Sequence, residues 1–204
     1  MLSIRLISAL SIVAFASWQS AAPPQRAYVP AQTKIAILPV IDASGEKDVK
    51  TSKEQCGFVS TELLKEFQER GFRFIERRSI DDVIKNQSID LSDEEQRKRA
   101  TMFGIGKEVG ADLVAFVLIT DKVTGERTKD ATIKIWLLDV NHQEPIMSGK
   151  PQEGRSNMSN AFNRASWRRA FPFAVEAGLQ EFFKPFPKVP KDAQQIVKGG
   201  VPQT

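Results

Sequence analysis

The chain has 204 residues, with 29 lysines and arginines against 25 aspartates and glutamates, for a formal net charge of +4. At 41% hydrophobic and 26% charged residues, it is long enough for one domain with a substantial core and too apolar for a disordered chain. The cations are scattered among acids, as in "TSKEQ" and "DEEQRKR", which excludes the one-sided basic face that nucleic-acid binding requires.

The first stretch, "MLSIRLISALSIVAFASWQSAAPP", places Arg5 ahead of an apolar run over residues 6–15 with small residues behind it. That is the layout of a secretory signal peptide, here residues 1–22, with cleavage near Ala16 or Ala22. The run is shorter than the roughly 20 residues that span a bilayer as a helix, so no transmembrane span is expected in the mature chain. A lipoprotein would carry its cysteine directly after such a run, whereas Cys56 is the one cysteine and lies far beyond it. The expectation is a periplasmic or secreted protein with no lipid anchor and no internal disulfide. Residues 23–33, rich in Pro, Ala and Gln, read as a linker. Residues 188–204 read as a disordered tail, leaving residues 34–187 as a single folded domain.

Within that body, "KIAILPVI" is a nearly continuous apolar run and predicts a buried strand ended by the loop "DASGEKD". "SKEQCGFVSTELLKEFQERG" repeats Val59, Leu63, Leu64 and Phe67 at helical spacing and stops at Gly71. Cys56 in this helix is expected to serve as a small buried apolar residue. "FRFIE" predicts a short strand. "SIDDVIKNQ" predicts a helix capped by Ser79, with Asp81 and Asp82 in its first turn against the helix dipole. "SDEEQRKRATMFGIGKEVG" predicts a helix from a Ser92–Glu95 capping box to Gly110. "ADLVAFVLIT" is a strand, "DKVTGERTKD" a polar turn with its tip at Thr124 and Gly125, and "ATIKIWLLDV" an alternating strand with Ile133, Ile135 and Leu137 on one side. "QEPIMSGKPQEG" is a weaker third strand. A last helix runs over residues 160–183, with Phe171, Val175, Leu179 and Phe182 on its core stripe and Pro172 expected to kink it or begin a new helix. The order β-α-β-α-α-β-β-β-α predicts a three-layer-like α/β sandwich with a mixed sheet, its last three strands an antiparallel meander.

The catalytic templates fail on their residues. "FGIGKEVG" invites a phosphate-loop reading, but Thr101 stands where the first Gly belongs and Glu108 where a Ser or Thr belongs. Gly104 and Gly106 are therefore expected to serve close helix packing. His142, the only histidine, sits in a turn with no Cys or His partner nearby in sequence and is expected to be exposed. No catalytic residue, metal or cofactor is expected. The residues that stand out are Trp167, Arg168 and Arg169, since an exposed Trp beside two arginines suits a protein-binding surface.

Three segments carry a resemblance. "KIAILPVIDASG", "GFRFIERRSIDDVI" and "GKEVGADLVAFVLI" occur in that order. The residues concerned are Ile35 to Pro39 with Ser44 and Gly45, then Phe74 to Arg77 with Ile80, Val83 and Ile84, then Gly106, Lys107, Gly110, Ala111 and Asp112. The pattern resembles the CsgG-like and LpoB-like bacterial envelope proteins. The resemblance implies an α/β domain in which Glu76 and Arg77 form a structural joint. It also implies a non-enzymatic role in the cell envelope. The chain departs from the curli channel subunits in lacking the lipobox cysteine and the long pore-forming hairpins.

Two functional classes follow. One is an exported, non-catalytic interaction module whose partner is another envelope protein or a second copy of the chain, with no role for nucleic acid. The alternative is a small-ligand-binding protein or enzyme whose site lies at the carboxyl ends of the strands, around Asp42, Ser44 and Glu46.

Overall fold

The computed structural model describes residues 28–157 and 165–190. The stretch read as a signal peptide and most of the expected linker lie outside the described residues, as do residues 158–164 and the chain beyond 190. The elements are β1 (Lys34–Ile37), β2 (Ile41–Asp42), α1 (Val49–Gln68), β3 (Arg73–Phe74), α2 (Arg77–Asn86), α3 (Arg99–Glu108), β4 (Leu113–Thr124), β5 (Thr128–Asp139), β6 (Glu144–Asn157) and α4 (Trp167–Phe183).

These strands form one mixed sheet in the order β3-β1-β4-β5-β6, with β2 also on β4. β1 and β2 run parallel to β4, and β4, β5 and β6 form the expected antiparallel meander. The first apolar run is not one strand. Ile37 pairs with Ala115 and Ile41 with Leu118, so β1 and β2 use one residue more than β4 between these pairs. Pro39 lies in that interruption, where a residue without an N–H removes no ladder bond.

The period-two pattern of β5 sorts its side chains into two cores. Ile133, Ile135 and Leu137 join Phe67 of α1 and Phe171 and Leu179 of α4 on one face. Leu138 joins Val114 and Phe116 of β4 with Met102 and Ile105 of α3 and Ile80 of α2 on the other. Helices thus cover both faces, giving the three-layer α/β/α arrangement. Of the two glycines expected to serve close packing, only Gly106 does: a Cβ there would lie 2.5 Å from Val114 and 2.7 Å from Val140, whereas one at Gly104 would meet nothing within 4 Å. Gly110 ends the α3 region at φ 68°, a conformation that costs glycine little.

Several local expectations are corrected. α2 begins at Arg77, with Glu76 as its N-cap, so Ser79 lies inside the helix. Asp81 and Asp82 consequently sit one turn further in, and ion-pair with Arg77 at 2.8 Å and Arg78 at 3.9 Å instead of facing the free N–H groups. α3 begins only at Arg99; Ser92 is bound to Asp90 through both its N–H and its hydroxyl, in a turn. The charged stretch expected as a turn is mostly strand, because Asp121 through Thr124 pair with Lys129 through Thr132. α4 runs through Pro172 without starting anew, capped by the Ser166 hydroxyl on the N–H of Arg168.

The ends of the body are also fixed. Tyr28 donates from its hydroxyl to Asp139 at 2.7 Å, although it falls within the linker expected from composition. Lys188 and Val189, placed in the tail by the same reasoning, are tied to α1. Lys188 reaches Glu66 and Glu69 at 3.0 and 2.6 Å, and the Val189 N–H donates to the Glu69 carbonyl.

Candidate functional site

Two regions were singled out by sequence, and the fold brings them to neighbouring parts of α1. The first is the segment after β2. Asp42 accepts hydrogen bonds from the backbone N–H and hydroxyl of Ser44. Its other oxygen lies 2.9 Å from Nζ of Lys122, a β4 residue. Lys122 Nζ also donates to Gln55 of α1 at 2.7 Å and to Glu46 at 3.4 Å. The side chains of Lys122 and Asp42 are only 8% and 3% exposed. Burial pushes the Asp42 carboxyl up, but hydrogen bonds from Ser44, Lys122 and Ser52 outweigh it and hold the group below its ordinary value. An ammonium has three N–H donors, and here three side-chain oxygens take them. The strand-end segment is thus closed by an internal cation, which stitches β2, β4 and α1 together. Neighbouring Cys56 is half-buried; burial and the charge of Asp42 push its thiol up, away from the reactive thiolate.

The second region lies at the start of α4. Trp167 is not fully exposed: its ring packs on the buried Phe171 with centroids 5.7 Å apart. Arg168 and Arg169 are exposed. Lys129 of β5 holds its ammonium 5.2 Å from the centre of the Trp167 ring. The Arg168 guanidinium lies 5.4 Å from the centre of Phe58 on α1. Trp167, Arg168, Lys129 and Phe58, with Thr51, Glu54, Gln55 and Ser166, line an open groove of about 400 Å³ between α1, α4 and the outer end of β5. Among the described residues, neither Lys129 nor Arg168 has a carboxylate partner; Lys129 donates instead to the Thr124 hydroxyl.

Sequence reasoning missed Phe58 and Lys129. Both sit on elements far from α4 in the chain, and no local pattern marks them. The remaining candidate, His142, is 53% exposed, as expected, yet its ring Nδ1 lies 2.9 Å from the buried carboxylate of Asp139. That carboxylate is pushed up by burial and pulled down further by Tyr28 and His142. It locks the end of β5 to the segment that precedes β1. Among the described residues, no group of acids, His and Cys is arranged to hold a metal ion. No described helix is long and apolar enough to cross a membrane.

No family model and no curated protein matches the chain. Solved structures similar to it include lipoprotein GNA1162 from Neisseria meningitidis, at 16% identity and a TM-score of 0.47 over 63% of this chain and 86% of that one. Escherichia coli LpoB is 17% identical, with a TM-score of 0.45 over 76% of this chain and 83% of its own. The PelC dodecamer from Paraburkholderia phytofirmans is 10% identical, with a TM-score of 0.44 over 74% and 88%. Likenesses at such scores assign neither partner nor activity.

Proposed function

We propose that the chain is an exported, non-catalytic accessory module of the cell envelope that binds another envelope protein through the groove between α1 and α4. The observation that carries this reading is the groove itself. Aromatic faces from Trp167 and Phe58 meet two cations, Lys129 and Arg168, that have no carboxylate partner among the described residues. Buried aromatic and arginine side chains dominate the energetics of protein interfaces. The small-ligand alternative has less support, because the segment around Asp42, Ser44 and Glu46 is already occupied by Lys122.

The test is capture from the envelope extract of the source cell by residues 17–204, the chain left by cleavage after Ala16. It is run beside the triple variant Trp167→Ala, Arg168→Ala, Arg169→Ala. The expected outcome is one identified partner captured by the parent chain and lost by a variant that still unfolds cooperatively. Equal capture by both would remove the groove from the interface. Light scattering on the purified chain separates a foreign partner from self-assembly.

A further inference from the structure

Deepening that reading, and resting on it, we infer that the groove selects an acidic segment of its partner, one that also carries an apolar side chain. Lys129 and Arg168 stand on two sides of the groove, each over a ring, at 5.2 and 5.4 Å from the ring centres. A cation over an aromatic face is held in place without being neutralised, so its charge remains available to an incoming carboxylate. The rings of Trp167 and Phe58 line the groove beside these charges and supply its apolar surface. A segment with carboxylates around one apolar residue matches both properties.

Among the described residues, Glu54 is the single carboxylate lining the groove, and it makes the inference testable in two directions. An acidic segment is repelled by Glu54 and attracted by Lys129 and Arg168; a basic segment experiences the reverse. A structural role for these side chains predicts no such opposition.

The probe is a labelled nonapeptide with a central phenylalanine flanked by four glutamates and four serines, followed by fluorescence anisotropy. Controls replace the glutamates by lysines or by glutamines. The acidic peptide should bind best and weaken with added salt. Lys129→Gln and Arg168→Gln should each weaken it by about two- to fivefold, the range of partly exposed charge pairs, while Glu54→Gln should tighten it. Preference for the lysine or glutamine peptide overturns the inference, as does binding that is unmoved by all three substitutions. If envelope capture still depends on Trp167 while the peptides show no acidic preference, the groove stands as the partner surface and only its selectivity for acids fails. If capture and peptide binding both ignore Trp167, the underlying reading falls as well.

Discussion

At the scale of single residues, the decisive side chain is Lys122. It is polar, it lies in a stretch that reads as an exposed turn, and it is nonetheless 8% exposed. Replacing it by methionine keeps most of its apolar stem but leaves Asp42, 3% exposed, as an unpaired buried carboxylate. Removing one partner of a buried pair costs about 3–5 kcal/mol, so Lys122→Met should lower the unfolding free energy in urea by about 3 kcal/mol at neutral pH. The deficit should shrink as pH falls from neutral, because an unpaired buried carboxyl takes up its proton at a higher pH than a free one. Asp139 keeps its partners in the parent chain, as Asp42 does. Tyr28 and His142 hold it below its ordinary value against the upward push of burial. Its stabilisation is complete above the unfolded-state value and is lost as pH falls through the folded one. The parent chain should therefore lose stability as pH falls below about 4, and Tyr28→Phe should flatten part of that slope. Acid titration of the two chains by circular dichroism checks this.

At the scale of elements, the packing of α4 on β6 leaves no room for a side chain at Gly154. A Cβ on Gly154 would lie 2.5 Å from the backbone nitrogen of Ala174 and 2.9 Å from its Cβ, and would overlap the carbonyl oxygen of Ala170. Backbone cannot move aside as a flexible side chain can. Gly154→Ala should cost at least about 2 kcal/mol, read as a lower denaturation midpoint with an unchanged urea slope. This contact was invisible in the sequence, since Gly154 falls in the weakest of the apolar patterns. The elements that could be read from sequence are those whose burial is periodic over a short span. The alternation of Ile133, Ile135 and Leu137 and the stripe of Phe171, Val175, Leu179 and Phe182 both face the core as expected. The errors arose where polar side chains answer to distant partners. Ser92 looked like a cap but is taken by Asp90. The charged tip of the β4–β5 hairpin looked like a turn, yet its backbone is satisfied across the ladder. The candidate groove was half legible for the same reason. Trp167, Arg168 and Arg169 are adjacent in sequence, whereas Phe58 and Lys129 reach them only through the fold.

At the scale of the whole molecule, the two described ends of the body and the groove lie at opposite ends of α1. The segment before β1 and the segment after α4 meet over Gly71, where an added Cβ would contact both Val189 and Pro30. Thr51, Glu54, Gln55 and Phe58, near the start of the same helix, line the groove. At 1.5 Å per residue, the thirteen residues from Gln55 to Gln68 separate them by about 20 Å. The described ends of the body therefore stand away from the groove. The ends should then contribute to stability and leave binding unchanged. A chain stopped after residue 187 loses Lys188, and with it one of the two cations that hold the buried Glu66 below its ordinary value against the upward push of its burial. It also loses the Val189 hydrogen bond to Glu69. The cost should be about 1–3 kcal/mol, because Arg70 still partners Glu66. Effects more than about 10 Å apart with no shared partner combine additively, so the shortened chain should capture the same envelope partner as the parent at temperatures where both are folded. Thermal unfolding together with capture measures both quantities on one preparation. A shortened chain that is fully folded but no longer captures the partner would place the chain end in the interface and refute this separation of anchoring end from docking end.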